Sequence, residues 1–192
     1  MEKKFELTDK FVFNTFGIKL FQIKCTKSFK YAKEGDLGGY VEKDENLDQE
    51  SDAWVSGNAQ VYGNARVYGD AWVSGNARVS GDAQVYGDAW VSGNARVYGN
   101  AQVYGDARVS GDADIENDNN HCGFDCFGSC NRHTHAYLTK DNKVEITCGC
   151  FRGSIEEFEK KVEKTHSGTI YEKQYKAIIN VIKIKFGLTD LI

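Results

Sequence analysis

The residues best equipped for chemistry crowd into one short stretch. His121-Cys122-Gly123-Phe124-Asp125-Cys126-Phe127-Gly128-Ser129-Cys130-Asn131-Arg132-His133-Thr134-His135 holds three thiols and three imidazoles. Cys148-Gly149-Cys150 follows, after a hairpin expected to turn at Asp141-Asn142-Lys143. Thiolate and imidazole are the ligands that zinc gathers into a tetrahedron. Cys122, Cys126, Cys130 and His133 are therefore the candidate metal set, with zinc as the possible cofactor. Their spacing, C-x3-C-x3-C-x2-H, is not a standard finger, so buried or free thiols are the competing reading. A nucleophile pair is the catalytic reading, with Cys150 beside His133, His135 or His166. No pattern supplies an oxyanion hole or an orienting third group. The chain is read as a non-enzyme, and no catalytic residue is assigned.

These side chains hang on a scaffold that is far more regular. From Ala53 to Ile115 the chain reads A-x-V-[SY]-G-[ND] without a break. A fixed short period means a solenoid, each unit burying its apolar residues against the next. Strand alternation turns Ala and Val inward and the middle residue outward. Gly followed by Asn or Asp makes the corner.

The outward positions carry a second period. Trp54, Trp72 and Trp90 are 18 residues apart, as are Tyr68, Tyr86 and Tyr104. Three hexads per turn would stack each set in a vertical column on a triangular prism. Eleven hexads make nearly four coils, about 19 Å tall at the usual strand spacing. A contiguous aromatic strip marks an interface: between subunits, with terminal helices of the same chain, or with a ligand. In the ligand case Trp54, Trp72, Trp90, Tyr68, Tyr86 and Tyr104 would stack on bases or sugars, while Arg66, Arg78, Arg96 or Arg108 met phosphates.

Flanking segments complete a mainly β chain. Residues 1–52 form an N-terminal cap: Phe11–Phe13 and Ile18–Cys25 make a hairpin that covers the open end. Val41 and Leu47 fall in the register of Ala53, starting an irregular first coil. Cys25 is expected to be buried and inert. Residues 53–118 form the β-helix, and residues 119–192 a C-terminal α+β region. There, Ser154-Ile155-Glu156-Glu157 and Thr169-Ile170-Tyr171-Glu172 read as capping boxes. One helix carries Ile155, Phe158 and Val162 on one face and ends near His166–Gly168. The next carries Tyr171, Tyr175, Ile178 and Ile182 and stops near Gly187.

Charge narrows the function. Residues 35–118 carry five basic and fifteen acidic side chains, which disfavours direct nucleic-acid binding along the walls. No apolar run reaches membrane-spanning length, and Met1–Phe5 lacks a signal-peptide core. A cytoplasmic protein with no membrane partner is expected, its six cysteines reduced or metal-bound.

The hexads resemble those of the hexapeptide-repeat family, an aliphatic residue followed four places on by a small one, as Val55 and Ala59 are. That resemblance implies a left-handed parallel β-helix and a homo-oligomer, a trimer packed side by side. Acyl transfer, the best-known activity there, needs a His base on the wall, and no His lies between 53 and 115. The segment Gly35-Asp36-Leu37-Gly38-Gly39-Tyr40-Val41-Glu42, with Asp52-Ala53-Trp54-Val55 and Cys148-Gly149-Cys150-Phe151, resembles a group of phage- and prophage-encoded proteins. The resemblance implies a bacterial host cell. That setting, the aromatic walls and the missing base on the wall together motivate an expected non-catalytic binding role that blocks a host defence system, by gripping a host protein or sequestering a small nucleotide signal. A structural or assembly role in the phage is the alternative, and an enzyme built on the Cys/His region a third reading.

Overall fold

The computed structural model describes residues 3–188. It is mainly β, a solenoid of about four turns followed by a C-terminal helical region. Strands β1 (Phe5–Phe13), β2 (Lys19–Cys25) and β3 (Leu37–Val41) come first. Eleven two-residue rungs, β4 to β14, follow from Trp54–Val55 to Asp114–Ile115. Strands β15 (His121–Phe127), β16 (Arg132–Leu138), β17 (Val144–Cys148) and β18 (Phe151–Ser154) lead into α1 (Ile155–His166) and α2 (Ile170–Lys185).

The rungs pair in parallel within three sheets. Trp54 pairs with Trp72, Trp72 with Trp90 and Trp90 with Arg108. A second wall aligns Gln60, Arg78, Arg96 and Asp114. The third aligns Arg66, Gln84 and Gln102. Each Ala and Val of the repeat is buried, from Ala53 through Ile115. Burying one Val side chain stabilises by roughly 1.5–3 kcal/mol, so the repeated rows are the main source of cohesion. Outside, Asn58 donates to Asn76, Asn76 to Asn94 and Asn94 to Asp112, each at 3.2 Å. The corner glycines sit at positive φ, and there the backbones approach closely: a Cβ on Gly93 (φ 69°) would lie 2.8 Å from the Gly111 nitrogen.

The N-terminal hairpin closes its end by extending one wall. β1, β2 and β3 are antiparallel, and β3 then joins the Gln60 rung in parallel. Val41 pairs with Val61 and Leu47 bridges Val67, so both occupy Val positions and not the register of Ala53. Two additional residues lie between Leu47 and Val55 compared with the hexad spacing. The detour is held by Lys4, whose Nζ donates to the carbonyls of Ser51 and Ala53. Buried Asn46 donates to the Gly63 and Ala65 carbonyls, satisfying acceptors that this entry turn would otherwise strand. Cys25 is buried, its thiol donating to the Lys27 carbonyl.

The four-stranded antiparallel sheet β15–β16–β17–β18 closes the other end. Tyr137 belongs to the solenoid core, and Lys140 N–H donates to the Asp112 carbonyl. Helices α1 and α2 cover the opposite face, where Ile146, Ile155, Phe158, Val162, Tyr175, Ile178 and Ile182 form a second core. Ser154 and Glu157 make the capping box on α1. Thr169 caps α2 through the Glu172 amide, while the Glu172 carboxylate turns back to Gly168 N–H.

Candidate functional site

The alternation of β15 and β16 decides which of the chemically capable side chains meet. On the solenoid-facing side, β15 presents His121, Gly123 and Asp125, and β16 presents His133, His135 and Tyr137. Register pairs Gly123 with His135 and His121 with Tyr137. On the helix-facing side Cys122 and Phe124 pack with the second core. The proposed zinc set is thus divided by the sheet: Cys122 lies on one face, His133 on the other. Cys126 (φ 62°) sits at the bulge near the end of β15, and both it and Cys130 are exposed. Among the described residues, no three His, Cys, Asp or Glu side chains converge as they stand on a point that could hold a metal.

What the fold does bring together is a histidine cleft of about 300 Å³ between the last rungs and the C-terminal sheet. Tyr104, Ala107, Asp118, His121, Asp125, His133 and His135 line it. His121 Nδ1 lies 3.0 Å from His135 Nε2. His121 Nε2 faces Asp118 Oδ1 at 3.5 Å, and His133 Nδ1 lies 2.5 Å from Asp125 Oδ1. The 3-10 turn Asp118–Asn120, capped by Asn117, sets Asp118 in place. His135 is 1% exposed. Burial holds its pKa well below the ordinary value, reinforced by the neighbouring His121 and His133 and opposed by the Arg108 backbone. Burial also lowers His121, with Asp118 pulling the other way. Three ring nitrogens here are buried without a partner: His121 Nε2, His133 Nε2 and His135 Nδ1. A second recess, of about 270 Å³, shares His133 and adds Asp106, Arg108, Arg132 and Thr147.

The thiols make a separate group. Cys130, Cys148 and Cys150 line a recess of about 200 Å³ with His166 and Tyr175. The tight turn at Gly149 (φ 60°) interrupts strand alternation, leaving Cys148 buried and Cys150 exposed instead of side by side on one sheet face. Thr134 Oγ1 donates to Cys148 Sγ, and Tyr175 Oη lies 3.8 Å from the same sulfur. Burial pushes the Cys122 thiol up to about 11, away from the reactive thiolate.

The aromatic residues are treated unequally along the walls. Phe29 packs edge-on against Trp54, and Tyr31 stacks on Trp72. Trp54 is 2% exposed, Trp72 half-buried and Trp90 39% exposed, with the Arg108 guanidinium 5.3 Å from its ring. Tyr68, Tyr86 and Tyr104 stack in turn, with centroids 4.9 and 5.4 Å apart, and Tyr104 ends the series 55% exposed at the cleft. Arg66 lies near Tyr68, on a different wall from Arg78 and Arg96. Arg96 reaches toward Asp114 and Tyr98. The expected binding residues therefore divide among three walls.

The zinc set expected from the sequence joined Cys122, Cys126 and Cys130 to His133 and left out His121, Asp118 and Asp125. The signal was present: His121-x-Gly123-x-Asp125 and His133-x-His135-x-Tyr137 alternate with the period of a strand. In this fold the solenoid resembles a known repeat. Residues 59–75, 73–87 and 101–113 match the family model described as YdcK Beta solenoid repeat. No curated protein matches the chain.

Proposed function

We propose that this chain is a non-catalytic binding protein, and that it recognises a host protein with the open aromatic wall near the C-terminal end of its solenoid. One observation carries this reading: the cover over the wall runs out. Phe29 and Tyr31 shield Trp54 and Trp72, while Trp90 on the same wall is left open; Tyr104, which ends the tyrosine stack on another wall, is exposed at the same end. Aromatic and Arg side chains supply most of the energy at protein interfaces, and Trp90, Arg108 and Tyr104 are of that kind.

A nucleotide-like ligand is the second reading. Its support is the adjoining recess, where Arg108 and Arg132 lie within reach of a phosphate while Tyr104 borders the neighbouring cleft. The phage setting, the anti-defence role and the cytoplasm of a bacterial host rest on the sequence resemblance. A left-handed triangular prism of 18-residue coils is the form we propose for the solenoid, supported by the parallel pairing of its rungs in three sheets and the Trp54–Trp72–Trp90 register. Side-by-side trimerisation would use the same walls. The units proposed are 1–52, 53–118 and 119–192.

Affinity purification from bacterial lysate tests the reading, comparing the natural chain with a Trp90→Ala/Tyr104→Ala double variant. A host protein retained by the first and lost by the second is expected. Equal capture by both, or a specific small molecule released from the natural chain with no protein partner, overturns the protein-partner reading.

A further inference from the structure

The histidine cleft has a feature that partner binding does not call for: His121 Nδ1 and His135 Nε2 meet each other at 3.0 Å, and His133, held by Asp125 at Nδ1, leaves its buried Nε2 without a partner beside them. We propose that His121, His133 and His135 bind a first-row divalent metal ion, zinc-like in its preference for imidazole, through His121 Nδ1, His135 Nε2 and His133 Nε2.

The distances suit this chemistry. A tetrahedral ion with metal–nitrogen bonds of about 2.0–2.1 Å needs its ligand nitrogens roughly 3.3–3.4 Å apart. His121 Nδ1 and His135 Nε2 are 3.0 Å apart, so parting them by a few tenths of an ångström admits the ion. Two imidazoles sharing such an ion hold their ring centres about 5 Å apart. The centres are 5.2 Å apart for His121 and His135 and 5.6 Å for His133 and His135.

The outer nitrogens suit it as well. A metal-bound imidazole usually donates its other N–H to a carboxylate or backbone carbonyl, which fixes the tautomer and orients the ring. Asp125 stands at His133 Nδ1, Asp118 faces His121 Nε2, and the Arg108 backbone lies beside His135. His133 Nε2 is buried without a partner. Gly123 leaves room for that ring: a Cβ there would stand 2.6 Å from His133 Cε1 and 3.0 Å from its Nε2. Burial also favours the neutral imidazoles that bind metal. The three nitrogens do not yet point to one centre. Binding swings the His133 ring inward about its Asp125 contact, and the fourth position faces the cleft, where water or an anion completes the tetrahedron.

The test is titration of chelator-stripped full chain with cobalt(II) chloride, followed by visible absorption and confirmed by elemental analysis after zinc displacement. One ion per chain is expected, with tetrahedral ligand-field bands and no thiolate charge-transfer band. His133→Gln, at a less buried ring, should weaken binding at least tenfold. Asp125→Asn should weaken it about tenfold or more, and Cys126→Ser and Cys130→Ser should leave it unchanged. His121 and His135 are deeply buried, so circular dichroism accompanies any variant there and His133→Gln is the deciding one. Failure to bind cobalt by natively folded chain overturns the proposal. So does affinity that survives His133→Gln, or that falls with the cysteine variants. None of these outcomes depends on partner capture.

Discussion

Tyr31 stacks on Trp72 at a centroid distance of 5.4 Å and an interplanar angle of 26°, so the segment after the first hairpin clasps the solenoid wall. Its neighbours tighten the clasp: Phe29 meets Trp54, Lys30 pairs with Asp70 at 2.8 Å, and Tyr31 Oη donates to the Asp70 carbonyl. Trp72 Nε1–H donates to Ser56 Oγ at 2.8 Å, satisfying its polar edge within the wall.

The three tryptophans should therefore differ in what they contribute to stability despite their identical repeat position. Trp54→Ala leaves a cavity under Phe29 and should cost about 3–5 kcal/mol, the usual range for a buried Trp. Trp72→Ala should cost less, and Trp90→Ala under about 1 kcal/mol, as for an exposed site. Urea denaturation of the three variants measures the order. Equal losses would show that the clasp adds nothing beyond the repeat.

The corner glycines offer a similar internal comparison. Gly93 and Gly105 both lie at positive φ, 69° and 62°, where any L side chain loses about 1–2 kcal/mol. At Gly93 the new methyl would also meet the Gly111 backbone, whereas at Gly105 nothing lies within 4 Å. Gly93→Ala should destabilise more than Gly105→Ala, by roughly 1 kcal/mol or more. Chemical denaturation of the pair decides it, and matching values would mean that conformation alone sets the cost.

Thiol reactivity should follow exposure. Cys126, Cys130 and Cys150 are exposed, Cys25 and Cys148 are buried, and Cys122 has its thiol raised to about 11 by burial. Iodoacetamide at neutral pH should modify the first three and spare the others until denaturant is added. Mass spectrometry after timed quenching reads the order. Rapid modification of Cys148 would contradict its enclosure by Thr134 and Tyr175.

Where one rule repeats, the sequence is easy to read. Ala-x-Val-x-Gly exposes its alternation and its corners every six residues, so the solenoid rows and the two capped helices are legible in the chain itself. The cleft depends on contacts between distant strands. His121 and His135 are 14 residues apart, and only the β15–β16 register makes them neighbours. Likewise, nothing local to Phe29 or Tyr31 marks them as partners of Trp54 and Trp72. The register of Val41 and Leu47 departs from the hexad count because a two-residue detour, held by Lys4, has no repeat to betray it.

Lys4 leads to a pH dependence of definite sign. It is 6% exposed, its ammonium donating to the Ser51 and Ala53 carbonyls at 2.6 and 2.8 Å and lying 5.1 Å from the centre of the Phe29 ring. Burial lowers its pKa from the ordinary 10.5 to about 8, against Asp48 and Asp52, which favour the charged form. Below pH 8 both folded and unfolded chains hold the proton, and Lys4 adds no slope. Between about 8 and 10.5 the folded chain has released it while the unfolded chain still binds it, so stability from this group rises with pH. The gain approaches about 3 kcal/mol at the upper end, at about 1.4 kcal/mol per pH unit. The neutral amine keeps two N–H donors for the two carbonyls, so the entry turn survives the titration. Urea denaturation at pH 7, 8, 9 and 10, on the natural chain and on Lys4→Met, isolates the effect from the other titrating groups. The natural chain should gain on the variant with each step above pH 8, and a constant difference across the series would mean that Lys4 holds its proton throughout the range.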